Sequence, residues 1–406
     1  MQTKFAALLI FYFIIFLNQL GYFLILPTLS TMITSPNHGL LSLETLKEFG
    51  NYIYAIVLGA GSLAAMFFAP ILGRLSDIIG RKNALLCCAV LMILSFVFPL
   101  IAFAQKNIWL FLLGNVLNGI SSNIMPVAQA GIRDVSPKNS FSMAYRYCIQ
   151  VSFIVTAMTS APLLAGIFSN SSLSPYFSYS TPFWMATGLS LIALILILWL
   201  PSNTSSPALS HSAFSLRSFS DISRLPKTLL RLLAVTLLLQ TAWAQYFQYI
   251  FLYLPSQFGF TEIKISFFTA LSGGTMLISL LGMFPLLHPK FSLRQIVFFC
   301  TLLSTLALGM MGLSSREWIQ WLFMPILSIG IGLYLPCLLA VFALEIQNAQ
   351  RGWILAIVNS SIGLAWFIAG FSAIFLSDFL PSLPLSSAAF LCLVAGVLMH
   401  LDKNTH

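Results

Sequence analysis

The sequence predicts an all-α membrane protein of twelve transmembrane helices, arranged as two pseudo-symmetric halves of six. Of its 406 residues, 59% are hydrophobic and 7% are charged, whereas a soluble domain carries roughly 25% charged residues. The apolar runs are continuous and about twenty residues long, as a ~30 Å hydrocarbon core requires, and they lack the alternation of barrel strands. A polar stretch divides these runs six and six.

This polar stretch is the predicted linker, 201–227, which is rich in Ser and Pro. It separates a predicted N-terminal bundle, 1–200, from a predicted C-terminal bundle, 228–406. Spans are expected near 5–32, 49–72, 84–104, 108–130, 142–168, 181–200, 228–254, 265–287, 295–313, 318–344, 352–377 and 384–401. The first run is too long for a signal peptide and has no A-x-A cleavage site, so we expect it to remain as a span.

Basic residues are distributed unevenly between the loops. With the N-terminus inside, only Lys47, Lys106, Lys264 and Arg316 of the 19 Lys and Arg residues fall outside. This bias predicts that both termini and the linker are cytoplasmic. It also accounts for the net charge of +9 without a nucleic-acid partner. The partner that composition implies is the lipid bilayer, and we expect a monomer in a bacterial inner membrane.

The cysteines and histidines indicate no metal, cofactor or enzyme centre. All 6 cysteines lie in apolar spans without metal-ligand spacing, and free buried cysteines behave as small hydrophobes. The 5 histidines are isolated in loops or at span ends, so we expect no nucleophile–base pair at membrane depth. A membrane enzyme or a receptor is therefore a disfavoured alternative. An ATP-driven pump is disfavoured too, because the chain has no long soluble domain and no phosphate-binding loop.

Residues recur in the two halves at a nearly constant offset. Pro126 and Pro336 are 210 residues apart in the fourth and tenth spans, and Asp134 and Glu345, which close those spans, are 211 apart. Chance is the alternative explanation, since any two membrane bundles share scattered prolines. Duplicated halves are how many carriers build a central solute site.

A ten-residue motif follows the second span, reading Gly73-Arg74-Leu75-Ser76-Asp77-Ile78-Ile79-Gly80-Arg81-Lys82. It resembles G-x-L-[AS]-D-x-x-G-R-[KR], the pattern of the major facilitator superfamily between spans two and three, and every defining position matches. The resemblance implies that this loop locks the halves together on the cytoplasmic side in one state and releases them in another. The gating residues it implies are Gly73, Arg74, Asp77, Gly80, Arg81 and Lys82. For Arg81 and Lys82, plain anchoring by positive charge is the alternative.

Other segments resemble the drug-efflux branch of this superfamily, the tetracycline and multidrug exporters. Residues 114–119 and 125–130 are similar to G-R-x-x-x-G followed by M-P-x-x-x-A, and the first span is similar to the L-D-x-x-G…L-P opening. Two departures stand out, because Asn115 replaces the family Arg and Asn18 replaces the family Asp. The resemblance implies export of an amphipathic organic solute by alternating access. Uptake or facilitated diffusion of a nutrient, metabolite or siderophore stays open, since sequence does not give direction.

None of the 10 acids falls near a predicted span centre. Acids inside membranes are the usual proton carriers, so proton antiport through a mid-membrane acid is disfavoured. The remaining candidates for proton coupling are Asp77, Asp134 and Glu345 at the cytoplasmic span ends. A coupling ion bound through neutral oxygens is the alternative, as is uncoupled transport.

Polar side chains within the spans are the candidates for the solute path. In the superfamily, spans one, four, seven and ten surround the cavity. The candidates are Asn18, Gln19, Tyr22, Asn115, Asn118, Arg146, Gln150, Gln240, Gln245, Tyr246, Gln248, Tyr249, Tyr334, Asn359 and Trp366. For each amide, the alternative is a hydrogen bond between helices, worth ~0.6 kcal/mol. Aromatic and apolar walls with a few amides suit an amphipathic organic molecule as the small-molecule substrate.

Overall fold

A computed structural model of the chain describes residues 2–34, 40, 43–137, 139–169, 173–201, 225–345 and 351–403. Among these residues, 12 helical segments are long and apolar enough to cross a membrane, which confirms the predicted fold class. The helices are α1 Gln2–Thr34, α2 Leu43–Ile78, α3 Arg81–Gln105, α4 Ile108–Ser121, α5 Ile124–Asp134, α6 Ser140–Phe168, α7 Thr181–Leu198, α8 Lys227–Phe258, α9 Glu262–Ile278, α10 Phe284–Leu287, α11 Leu293–Leu313, α12 Glu317–Glu345, α13 Arg351–Ser377 and α14 Leu383–Lys403. Most of the predicted linker, 202–224, lies outside the described residues.

Helix α2 continues into the motif that the sequence predicts as a loop. It ends at Ile78 and α3 begins at Arg81, so the prediction of a loop over 73–82 is wrong. The break between the two helices is short because the backbone of one residue, Gly80, makes the turn. Its φ of 88° lies in the left-handed region that favours glycine. The motif therefore places its charged side chains on two helix ends instead of a mobile loop.

Two predicted spans are interrupted close to a proline. The fourth span consists of α4 and α5, which separate at Ser122 and Asn123. Pro126 has no N–H for the Ser122 carbonyl, which instead accepts a hydrogen bond from the Met125 N–H. In the eighth span, a π-helical segment over Ser279–Met283 joins α9 to α10 just before Pro285, which likewise lacks a donor for the preceding turn.

The chain forms two compact units. Unit 1 comprises Met1–Val135, Thr156–Ala213 and Asn348–Ser360, and unit 2 comprises Ser136–Val155, Phe214–Gln347 and Ser361–His406. In unit 1, α3 packs against α4 and α7, and α1 packs against α7. In unit 2, α11 packs against α12 and α14, and α14 packs against α8. The division into bundles 1–200 and 228–406 stays a prediction. The two units differ from these bundles chiefly in segment 136–155, which belongs to unit 2, and in segment 348–360, which belongs to unit 1.

Candidate functional site

The motif residues form a buried ionic junction at the predicted cytoplasmic ends of three helices. Arg81 Nη1 lies 2.6 Å from Asp77 Oδ1 at the end of α2, and Arg81 Nε lies 3.2 Å from Asp134 Oδ2 at the end of α5. Arg81 Nη1 also donates to Ser76 Oγ at 2.6 Å. The Arg81 side chain is only 6% exposed, so these charge-assisted hydrogen bonds are poorly screened by solvent. They hold the ends of α2, α3 and α5 as one block.

Lys82 is also fixed in place. Its Nζ donates to the carbonyl oxygens of Leu198 and Leu200, both at 2.8 Å. The Leu198 carbonyl ends α7 and the Leu200 carbonyl lies two residues beyond it, at a helix C-terminus where a cation is favourable. Plain anchoring by positive charge therefore does not describe Lys82 fully. Gly73 is buried and Arg74 is half-buried on the same end of α2.

Asparagines of the fourth span form a seam with α2. Asn115 Nδ2 donates to the Val57 carbonyl at 2.6 Å, and Asn123 Nδ2 reaches the Ala65 carbonyl at 3.4 Å. Between them, a Cβ added to Gly119 would overlap the backbone of Gly61. Positions 115, 119 and 123 of the fourth span thus contact positions 57, 61 and 65 of α2, so both sides of the seam repeat every four residues. This geometry supports the interhelical alternative for Asn115.

The other candidates of unit 1 also bond within the protein. Asn18 Nδ2 donates to Met92 Sδ at 3.1 Å, and Gln19 Nε2 donates to Asn18 Oδ1 at 3.4 Å. Asn118 Nδ2 donates to Ser95 Oγ at 3.3 Å. Tyr22 is half-buried and packs edge-on against Phe23. Asn18 and Asn115 therefore have separate partners on different helices.

Asn359 forms a contact that sequence reasoning missed. Its Nδ2 donates to Gln129 Oε1 at 2.8 Å, and the neighbouring Ser360 Oγ donates to the Met66 carbonyl at 2.7 Å. Both bonds lie within unit 1 and join the start of α13 to α5 and α2. Gln129 is 2% exposed. It lies in the efflux-type segment 125–130, but nothing in the sequence pairs it with Asn359.

An aromatic cluster in unit 2 was also missed. Phe141 at the start of α6 stacks on Tyr145 and on Phe284, with ring centroids 5.7 Å and 6.1 Å apart. The His288 ring completes the cluster, 5.3 Å from Phe141 and 5.5 Å from Phe284. Partial burial lowers the pKa of His288 below its ordinary value. These four residues are called the aromatic latch below.

Helix α8 combines amides with aromatic rings. Gln245 Nε2 donates to Ser387 Oγ at 2.9 Å, and Gln248 Nε2 donates to the Trp366 carbonyl at 3.3 Å. Trp243 stacks on Tyr246 at 5.8 Å, and Phe247 lies 5.9 Å from Trp366. Gln240 and Tyr249 are buried on the same helix. The structure thus brings the predicted seventh-span residues together with Trp366.

Three further candidates of unit 2 are buried, and they differ from the amides above. Among the described residues, neither amide atom of Gln150 has a hydrogen-bond partner, and the hydroxyls of Tyr246 and Tyr334 have none. Arg146, one turn before Gln150, is engaged, because its Nη1 donates to Ser136 Oγ at 2.8 Å. Glu345 ends α12, but its side chain lies outside the described residues.

Comparison with known proteins identifies the family. Residues 11–370 match the Major Facilitator Superfamily. The tetracycline resistance protein, class B, of Escherichia coli is 24% identical over 348 residues, which cover 83% of this chain and 80% of that protein. The human organic anion transporter MFSD10 (TETRAN) has a similar structure, with TM-score 0.83, 18% identity and coverage of 98% and 99%. The E. coli fucose:proton symporter FucP is similar at TM-score 0.75 and 15% identity, with coverage of 97% and 98%.

Proposed function

This chain belongs to the Major Facilitator Superfamily, and we propose that it exports an amphipathic organic compound across a bacterial inner membrane by alternating access. Its family is one of membrane transporters that bind small molecules. The solute, the direction of transport, the particular membrane and the cytoplasmic placement of both termini are the parts that we propose.

The neutral interior of the spans is the observation that carries the solute class. Among the described residues, Asp77, Asp134 and Glu317 stand within the first or last two residues of their helices. Arg146 and Arg231 lie within the first two turns of α6 and α8, and the polar groups nearer the span centres are amides and hydroxyls, accompanied by aromatic rings such as Trp243 and Trp366. A largely apolar, aromatic lining with a few oriented polar groups suits an amphipathic solute better than a sugar or a small ion.

Similarity to the class B tetracycline resistance protein supports export. This similarity extends over 83% of the chain, so it is not confined to the motif of spans two and three. The ionic junction of Arg81 with Asp77 and Asp134 supports transport by alternating access, because it holds the ends of three helices together as a rigid block.

Two sets of contacts are suited to opening on the predicted cytoplasmic side. The Gln129–Asn359 hydrogen bond and the aromatic latch each join a helix of the predicted N-terminal bundle to one of the predicted C-terminal bundle. Neutral hydrogen bonds between membrane helices are worth ~0.6 kcal/mol each, so such contacts can break and reform during a cycle. We propose that they close the cytoplasmic side and separate when the solute enters.

Proton coupling, where it occurs, is proposed to avoid the centre of the membrane. Asn18 and Asn115 hold the two positions where similar exporters carry Asp and Arg, and amides do not titrate. Asp77, Asp134 and Glu345 are the remaining carriers, all at helix ends. Of these, Asp134 is paired with Arg81.

Flux into proteoliposomes tests this function. The purified protein is reconstituted, and movement of tetracycline and of ethidium is measured with and without an imposed pH gradient, beside empty liposomes. We expect protein-dependent flux of an amphipathic probe, inhibited by the Asp77→Asn substitution. No protein-dependent flux of either probe would reject the proposal.

Uptake is the second candidate function. The fucose:proton symporter FucP shares the fold at TM-score 0.75, and the fold alone does not decide between export and uptake. The same liposomes distinguish the two candidates. Export predicts net movement of the solute away from the side that carries the termini, and uptake predicts the reverse.

A further inference from the structure

Among the described residues of unit 2, three candidates for the solute path have buried polar atoms without a hydrogen-bond partner. They are the carboxamide of Gln150 on α6, the hydroxyl of Tyr246 on α8 and the hydroxyl of Tyr334 on α12; outside the candidate set, Ser304 Oγ and Gln320 Oε1 have none either. Gln150 is 0% exposed, and Tyr334 is 1% exposed. Burying a polar group without a partner is unfavourable, and a carboxamide has more hydrogen-bonding capacity to leave unused than a hydroxyl has. Gln150 is therefore the group that most needs an explanation.

All three groups lie at a similar depth in the membrane. Gln150 is ten residues beyond the start of α6 at Ser140, which is ~15 Å along the helix axis. Tyr334 is eleven residues before the end of α12 at Glu345, or ~16 Å. Tyr246 lies close to the middle of the 32-residue helix α8. Half of a hydrocarbon core is ~15 Å, so these groups stand near the bilayer midplane, where carriers bind solutes.

The buried face of α6 around Gln150 is mostly apolar. Met143, Ala157 and Ala161 share this face and carry no hydrogen-bonding side chain, and Tyr147, one turn before Gln150, is not bonded to it. Arg146 is one turn away and already donates to Ser136. By contrast, Gln320 is equally buried, and its Nε2 donates to the Met311 carbonyl at 2.8 Å, although its Oε1 has no partner among the described residues. One amide atom of Gln320 is therefore bonded within the protein, whereas neither amide atom of Gln150 is.

We infer that Gln150 binds the polar group of the transported solute and selects solutes with a neutral donor and acceptor side by side, such as a carboxamide or a lactam. This inference rests on the proposed export function. A primary amide presents an N–H donor and a carbonyl acceptor in one plane, so it pairs with a second amide through two hydrogen bonds. A carboxylate satisfies only the N–H of Gln150, and an ammonium satisfies only its carbonyl. Either ion would also lose its hydration at this depth.

The aromatic residues of α8 fit the rest of such a solute. The ring of Tyr246 stacks on Trp243 while its hydroxyl remains without a partner. A flat apolar body contacts such rings, and its hydroxyl or carbonyl substituents can bond to a tyrosine hydroxyl. Gln150 therefore supplies the paired contact, and Tyr246 and Tyr334 supply single ones.

The test compares two matched substitutions in proteoliposomes. Gln150→Met removes an amide without a partner, and Gln320→Met removes an amide whose bond is internal. The probes are tetracycline, which carries a carboxamide, and ethidium, a cation without a carbonyl group. For Gln150→Met we expect the KM for tetracycline to rise about tenfold, the loss expected for a hydrogen-bonded contact, with an unfolding temperature equal to or above that of the wild type. For Gln320→Met we expect a lower unfolding temperature and an unchanged KM.

The outcomes separate this inference from the export proposal. An unchanged tetracycline KM in Gln150→Met overturns the inference and leaves export standing. Wild-type transport of ethidium but not of tetracycline does the same, because it excludes the carboxamide class. An equal rise in KM for both probes shows a general change in the site and also counts against selection by Gln150. Transport of neither probe by the wild type overturns export and this inference together.

Discussion

The polar side chains of the two units are used in different ways. In unit 1, Asn18, Asn115 and Asn359 all donate hydrogen bonds to other helices of the same unit. In unit 2, Gln245 and Gln248 are also bonded, but neither amide atom of Gln150 has a partner in the part of the chain that the structure describes. An amide in a membrane helix can thus hydrogen-bond to another helix or be available to bind a ligand. The hydrogen-bond partners in the structure distinguish these two roles, whereas the residue type alone does not.

The largest effect is expected from breaking the ionic junction of unit 1. Asp77→Asn removes the charge that faces Arg81 Nη1 at 2.6 Å. We expect transport to fall at least about tenfold, because Asn removes the charge-assisted hydrogen bond that joins the end of α2 to Arg81, while Arg81 stays paired with Asp134. Flux in proteoliposomes, with the amount of inserted protein measured in parallel, checks this. The control is Asp378→Asn, at an exposed acid just beyond α13. Flux near the wild-type level in Asp77→Asn would remove the gating role of the motif.

The seam between α2 and the fourth span should depend on close backbone approach. Gly119→Ala places a Cβ where the Gly61 backbone already lies. We expect a loss of about 1–3 kcal/mol in the free energy of unfolding, as is usual for overpacking. Gly188→Ala is the matched control in unit 1, since no atom of the described residues lies within 4 Å of its added Cβ. Thermal unfolding in detergent measures both, and equal stability of the two variants would contradict the seam.

A smaller effect is expected from Asn115, the amide that contacts Val57 in this seam. Asn115→Leu removes the hydrogen bond to the Val57 carbonyl, and we expect a loss of ~0.6 kcal/mol in stability. The KM for tetracycline should stay unchanged, in contrast to Gln150→Met. Unfolding and flux of Asn115→Leu and Gln150→Met, measured side by side, distinguish an amide that joins helices from one that binds solute. A several-fold rise in KM for Asn115→Leu would return this residue to the solute path.

The smallest effect concerns the pH response of the aromatic latch. Burial lowers the pKa of His288, so the folded protein favours the neutral ring. The stability that the neutral ring contributes is present above the unfolded-state pKa, about 6.5, and is lost progressively as pH falls below it. We expect the unfolding temperature to drop more between pH 7.5 and 5.5 in the wild type than in His288→Phe. If the unfolding temperatures of the two proteins change equally with pH, His288 does not titrate in the aromatic latch.

The sequence predicts the architecture well because lipid imposes a simple rule on helix length and polarity. It misplaces the motif of spans two and three, because one glycine is enough to turn the chain and the charged residues on either side remain helical. It also leaves the breaks near Pro126 and Pro285 unassigned, since Pro99 and Pro162 stand inside unbroken helices. Proline therefore marks a weak point without deciding whether the helix separates there.

The candidate site shows a different limit. Polar residues inside the spans can be found from the sequence, but their partners lie far away along the chain. Asn359 and Gln129 are separated by 230 residues, and no spacing rule joins them. The sequence predicts that His288 is isolated at a span end, whereas the fold places its ring against Phe141. Distinguishing fastened from unpartnered amides required the packing of the helices.

A structure of the protein with tetracycline bound, determined by cryo-electron microscopy, would show which amide contacts the solute. We expect the carboxamide of the solute to lie within hydrogen-bonding distance, about 3 Å, of both amide atoms of Gln150. We also expect Asn115 to keep its bond to the Val57 carbonyl and not to contact the solute. A bound solute that contacts Asn18 or Asn115 while Gln150 remains without a partner would contradict this assignment.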